Sequence, residues 1–371
     1  MTLTRDPAPA GQQAPDGLVG KALRGPADRS PLGLVAVPLL ALLGALVVGG
    51  VLMAVEGVAP LSAYGEVVRG VFGRTRGLVD TAVIATPLVL LALGITVAYR
   101  ARVFTIGAEG QYIAGALAGT AWATVGPLPG LPAPVLVVSS LAVAVLAGAA
   151  WSGVTAWLQS RFGASVVITS LLLNYVAAAV LAWAVRVGMR DPGSFTPQSR
   201  QVGDAALPDL PGTAIHLGFL FALLAVPTVA AVLRRTRFGF RVEVLGANPD
   251  VLAATEARPS RTRLWVLAVA GALAGLAGFV EVAGVTGRMT QAFAVGYGFT
   301  AIIVALLGRL RPLGVLAAAL VMAGITVGFD EAERVFVIPS ATVGVIQALI
   351  VVFFVTGDAL SRRRLRRREG A

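Results

Sequence analysis

Four polar side chains sit inside long apolar runs, and they carry most of the chemistry this chain could do. Asn174 lies in Thr169-Ser170-Leu171-Leu172-Leu173-Asn174-Tyr175, about ten residues into its run and so ~15 Å deep at 1.5 Å per residue. Gln347 reaches a similar depth in the last run from the opposite side. Glu109 and Gln111 stand ~8–10 Å inside another run, within Ile106-Gly107-Ala108-Glu109-Gly110-Gln111. Glycines at 107 and 110 suit a broken or closely packed helix. An amide or carboxyl group in hydrocarbon is costly unless it meets protein or water. Two chemistries therefore fit these residues: hydrogen bonds to neighbouring helices, which hold a bundle together, or hydrogen bonds to a polar solute along a path.

Catalysis fits badly. The chain has no cysteine and one histidine, His216, which excludes thiol chemistry and His-based metal sites. His216 falls at the outer edge of a run and reads as interfacial, and Asp80 and Glu281, near the outer ends of theirs, are expected to snorkel to water. A phosphate-binding loop needs lysine before Ser or Thr, whereas the only lysine, Lys21, precedes Ala22. Any ATPase that energises the chain must be a separate polypeptide.

The elements that position these residues are transmembrane helices. Hydrophobic residues make up 57% of the chain and charged ones 13%, too few charges for the surface of a soluble protein of 371 residues. Apolar runs long enough to cross a bilayer occur at about 32–54, 80–99, 104–125, 134–158, 164–187, 214–233, 263–286, 292–309, 312–329 and 338–356. The expected fold is all-α, a polytopic bundle of about ten transmembrane helices. With both ends cytoplasmic, 22 of the 30 basic residues fall on inside segments, so the positive-inside rule favours N-in and C-in. The net charge of +11 thus reports topology and not nucleic-acid binding. Residues 1–31 read as a flexible cytoplasmic tail, 32–356 as the membrane domain, and 357–371 as a basic tail whose arginines 362–368 meet anionic lipid. Small residues spaced four apart, Gly115 with Gly119 and Gly271 with Gly275, allow close helix approach, while Pro87 and Pro227 should kink their helices.

One long cytoplasmic loop, 234–262, holds sharp local signals. Asn248 is a good helix N-cap, Pro249 suits the first helical position, and Asp250 places negative charge at the positive end of the dipole. Pro259 then ends a helix of about ten residues, too short to span. Val251, Leu252 and Thr255 share one face, with Ala254 beside it. Such a helix suits docking into a soluble partner, and the alternative is a helix lying on lipid.

Residues 78–356 resemble permeases of the branched-chain amino acid, ribose and nucleoside branch of the ABC importers, specifically the nucleoside type. The segments that carry this are Phe104-Thr105-Ile106-Gly107-Ala108-Glu109-Gly110-Gln111, Leu173-Asn174-Tyr175, the Gly239–Ala254 loop, and Gly296-Tyr297-Gly298-Phe299-Thr300 running on to Ala305-Leu306-Leu307-Gly308-Arg309 and Pro312-Leu313-Gly314. The sequence departs from the family pattern at Thr105, where Asn is expected, at Val166, where many relatives carry Glu, and at Ala257-Arg258-Pro259. The resemblance implies a subunit that pairs with a second permease chain, recruits a cytoplasmic ABC ATPase, and receives substrate from an extracytoplasmic binding protein. It implies no cofactor in this chain, with ATP and Mg on the partner ATPase. Gly239, Arg241, Gly246, Asn248, Pro249, Asp250, Val251, Leu252, Ala253 and Ala254 would form the ATPase-coupling element. Asn174, Glu109, Gln111 and Gln347 would be candidates for the substrate path, carrying nucleosides or, alternatively, simple sugars such as ribose. A secondary transporter is the rival class and would need deep paired acids, which are scarce here.

Overall fold

A computed structural model describes residues 32–126, 131–254, 258–293, 296–339, 341–350, 352, 353 and 356, with side chains from residue 43 onward. Both tails and residues 255–257, including Thr255, lie outside the described residues. Among the described residues the chain is helical, with three isolated bridges and no strand. The helices are α1 (Leu32–Val55), α2 (Pro60–Phe72), α3 (Thr75–Arg100), α4 (Ala108–Val125), α5 (Ala133–Phe162), α6 (Val166–Trp183), α7 (Gly218–Arg235), α8 (Arg237–Ala247), α9 (Pro249–Ala254), α10 (Pro259–Glu281), α11 (Tyr297–Leu307), α12 (Pro312–Phe336) and α13 (Ala341–Ile350).

Six of these helices are long and apolar enough to cross a membrane, a seventh span being possible where Leu43–Val55 and Pro60–Phe72 meet at 115°. The expected count of about ten is not reached among the described residues, for local reasons. The run at 104–125 starts its helix only at Ala108, and Glu109, Gln111 and its glycines dilute its apolarity. The run at 292–309 yields a 3-10 turn, Gln291–Phe293, and an 11-residue helix, about 16 Å long and so half a span. Within 338–356 the described helix is the short α13.

Burial grades from the centre outward. The apolar window of α3 is 89% buried and that of α10 72%, against 17% for α5, so α3 and α10 are the axis and α5 turns most of its surface to lipid or a partner. Glycine makes the axis possible. Gly115 and Gly119 of α4 lie against Gly275 and Phe279 of α10, and Gly148 of α5 lies against Gly271 and Gly275, in each case without room for a Cβ. Ser152 adds a hydrogen bond across the α5–α10 seam to the Leu267 carbonyl, at 2.7 Å. Pro87 and Pro227 sit inside α3 and α7 as expected.

At one end of the bundle, residues 189–217 form an excursion pinned by the bridges Arg190↔Ser199, Gln198↔Thr290 and Asp209↔His216. His216, just ahead of α7, is buried against Gly218 and Gly284, and neither ring nitrogen has a protein partner among the described residues. Burial holds its pKa below the ordinary imidazole value, opposed by Asp209.

Candidate functional site

Two helices begin inside the bundle. After α3 ends at Arg100, Arg102 takes a positive φ of 54° and the chain runs non-helically to Gly107 before α4 starts. The main-chain groups exposed by this break are met by side chains. On α6, Asn174 accepts from the Gly110 N–H and donates to the Ile106 carbonyl, both at 2.9 Å. One turn earlier on the same face, Ser170 Oγ accepts from the Ile106 N–H at 3.1 Å. Thr105 Oγ accepts from the Gly107 N–H at 3.1 Å, a local turn just ahead of the helix that the threonine found in place of asparagine supplies. Gly110 is needed for the approach, since a Cβ there would lie 2.8 Å from Asn174 Oδ1. Asn174 is about 12 Å along α6, which places this junction near the middle of a ~30 Å hydrocarbon layer.

The second break precedes α11. Gly296 has φ 88°, a conformation open to glycine, and turns the chain into the half-helix. Glu109 caps it: Oε1 accepts from the Gly296 N–H at 3.0 Å and Oε2 from the Gly298 N–H at 2.6 Å. A carboxylate at the positive end of a helix dipole is favourable, the more so in a low dielectric. Gly298 permits it, because a Cβ there would lie 2.7 Å from Glu109 Cα. Past its other end at Leu307, Arg309 and Leu310 both take positive φ, and Pro312 opens α12.

The structure thus brings Asn174, Glu109 and Gln111 to one junction of α4, α6 and α11. Gln111 is buried beside Gly107. Gln347 stands apart on α13, half-buried, in a second apolar cluster where Ile346 and Ile350 pack with Ala45, Met53 and Phe329. The sequence reading passed over Ser170, Tyr112 and Tyr297. Tyr112 follows Glu109 by three residues on one helix face and stacks on Phe293 at 5.1 Å, and that spacing was the available signal. Glu281 does not snorkel. A π-helical turn, Val282–Thr286, carries the helix on past it and leaves the side chain buried.

At the end of the bundle where α3 stops, the loop between α7 and α10 is fixed by short-range devices. Thr236 caps α8 by accepting from the Gly239 N–H at 3.2 Å, and Asn248 Oδ1 accepts from the Asp250 N–H at 2.9 Å to start α9. Val242, Leu245, Gly246 and Leu252 are buried, with Gly246 against the Arg100 carbonyl and Gly239 against the end of α7. Arg241, Asn248, Pro249, Asp250, Val251, Ala253 and Ala254 face outward. Pro259 is the first residue of α10, where its missing N–H costs nothing. Arg100 joins the loop to the rest, donating to the Leu310 carbonyl at 2.8 Å and to Glu243 at 3.4 Å, so one side chain ties α8 to the α11–α12 turn.

Residues 77–355 match the family described as branched-chain amino acid transport system / permease component. A glucose ABC transporter permease of Haloferax volcanii is 40% identical over 88% of this chain and 89% of its own length. A guanosine ABC transporter permease of Bacillus subtilis is 29% identical over 87% and 94%, and a nucleoside ABC transporter permease of Lactococcus lactis is 28% identical over 86% and 90%. The two last organisms each hold a second matching permease with the same description. No solved structure matches. Such permeases are transport components and not enzymes. The chain belongs to the branched-chain amino acid transport system permease family, a multi-pass membrane protein that serves as the permease subunit of an ABC importer.

Proposed function

We propose that this subunit passes a sugar-ring solute, a nucleoside in the first reading, across the cell membrane at the expense of ATP hydrolysed on a separate cytoplasmic ATPase that holds ATP and Mg. Two relatives described as guanosine and nucleoside permeases support that class. The 40% identical glucose permease favours a second reading, a simple sugar. Both share a polyhydroxylated ring. The chain pairs with a second permease, as the doubled descriptions in two organisms suggest, and takes solute from an extracytoplasmic binding protein. Its ends lie N-in and C-in, with the loop face cytoplasmic.

The observation that carries the mechanism is the double hydrogen bond of Arg100, to Glu243 beside the loop helix and to Leu310 at the foot of α11. Gly239, Arg241, Gly246 and the residues from Asn248 to Ala254 receive the ATPase. Their displacement reaches α11 through Arg100, and α11 in turn is held at its upper end by Glu109. Asn174, Glu109, Gln111 and Gln347 belong to the path in this reading, Asn174 and Glu109 by shaping the broken helices that wall it. The test is uptake of labelled guanosine, uridine, ribose and glucose in cells lacking the chain and in cells with it restored, each with and without vanadate. Chain-dependent, vanadate-sensitive uptake of the nucleosides is expected. Uptake of ribose or glucose alone moves the substrate to the simple sugars, and chain-dependent uptake indifferent to vanadate overturns the ATP-driven reading.

A further inference from the structure

Behind the Glu109 cap lies a second polar group that the fold leaves unsatisfied. Glu281 of α10 is 7% exposed and its Oε2 has no hydrogen-bond partner among the described residues. Tyr112 of α4 is 0% exposed and its hydroxyl has none either. The two belong to one helix contact, for Gly278, three residues before Glu281 on α10, lies against the Tyr112 carbonyl of α4. The Tyr112 ring stacks on Phe293 at 9° and lies 6.1 Å from the Tyr297 ring, so the polar atoms share one aromatic wall. Two unpartnered polar atoms in a membrane interior are a standing cost that apolar side chains would remove.

On the face opposite the loop, a cavity of about 590 Å³ is lined by Arg74, Asp80, Val285, Val327, Asp330 and Arg334 among others. Val285 is one turn beyond Glu281 on the same helix, and Asp330 belongs to α12, which packs against α11. The short α11, which begins with Tyr297, has left-handed backbone on both flanks, at Gly296 and at Arg309 with Leu310.

Resting on the permease reading, we propose that Glu281, Tyr112 and Tyr297 form a hydroxyl-binding locus on the substrate path, taking the vicinal diol of a sugar ring when α11 shifts. A carboxyl group accepts from two adjacent hydroxyls, and phenols donate and accept beside it. The aromatic wall suits the apolar face of the ring. Nucleosides and simple sugars both present this diol.

The test uses the full importer in proteoliposomes with its ATPase and binding protein. Glu281→Leu and Tyr112→Phe each remove an unpartnered polar atom while keeping bulk, so both complexes should assemble and withstand heat as well as the parent or better. Vanadate-sensitive import of the parent solute should nevertheless fall ~10-fold or more. Probes are guanosine against 2′-deoxyguanosine and glucose against 2-deoxyglucose, and the pair that wild type imports identifies the source of the diol. The parent-to-deoxy import ratio should shrink severalfold in both variants. An unchanged ratio in two well-assembled variants overturns the locus alone. Import of no probe by wild type sinks the substrate reading and the locus with it.

Discussion

Replacing Glu109 with Gln tests how α11 is held. In the native junction two N–H groups, from Gly296 and Gly298, each meet one carboxylate oxygen at 3.0 and 2.6 Å. An amide offers one oxygen, so Glu109→Gln keeps at most one of these bonds and turns its NH₂ toward the other donor. The change removes a charge-assisted bond of about 1.5–3 kcal/mol and a charge–dipole attraction of roughly 0.3–2 kcal/mol. A helix end held about 2–5 kcal/mol less firmly frays about 30- to 4,000-fold more often, at tenfold per 1.4 kcal/mol. Hydrogen–deuterium exchange of the complex in nanodiscs reads this directly. Amides of residues 296–307 should exchange faster by at least about 30-fold in the variant, while those of α7 stay as they were. Glu109→Asp, one methylene shorter, should fall between. Wild-type exchange across 296–307 in Glu109→Gln would refute the cap.

Asn174→Leu strands the Gly110 N–H and the Ile106 carbonyl, a loss of about 2–6 kcal/mol at 1–3 kcal/mol each, so thermal stability and assembled yield should drop together; unaltered stability with changed selectivity would instead make Asn174 a solute contact. Gly115→Val drives a branched side chain into the Gly275 backbone and should abolish assembly, as judged by size-exclusion chromatography. Ala254→Glu places charge on the exposed face of α9 and should stop uptake while membrane abundance stays normal; normal uptake would contradict a docking role. His216 is held neutral by burial, so the folded state binds fewer protons than the unfolded one near the unfolded pKa of about 6.5. Stability should hold above that pH and decline as pH falls below it, a dependence that a thermal melt of His216→Phe should show weakened.

What the sequence disclosed was whatever depends on near neighbours or on a regular period. The Asn248 cap two residues from its donor, the four-residue spacing of Gly271 and Gly275, and the prolines inside α3 and α7 all act locally, and each is found where it was expected. The half-helix α11 was hidden because 292–309 is as apolar as a true span. Its break depends on a contact between Glu109 and Gly296, 187 residues apart. Glu281 was misplaced for a related reason: hydropathy marks where a run ends but not that a π-helical turn continues the helix beyond it. Pro259 reads from the sequence as a stop, and only the geometry of α10 discloses that it is also a helix start. Asn174 and Glu109 stand out in the sequence as polar groups in apolar runs, yet their hydrogen bonds run to main chain broken out of helix, which no periodicity announces.

The central claim is that the α8–α9 face meets an ATPase. The chain has no cysteine, so Ala254→Cys and, on the opposite excursion, the fully exposed Phe195→Cys each give a single site for a short thiol-to-amine crosslinker in membranes that co-express the ATPase. A crosslink between the ATPase and Ala254→Cys, with none from Phe195→Cys, is the predicted result. No crosslink at Ala254, or one at Phe195, would contradict the account.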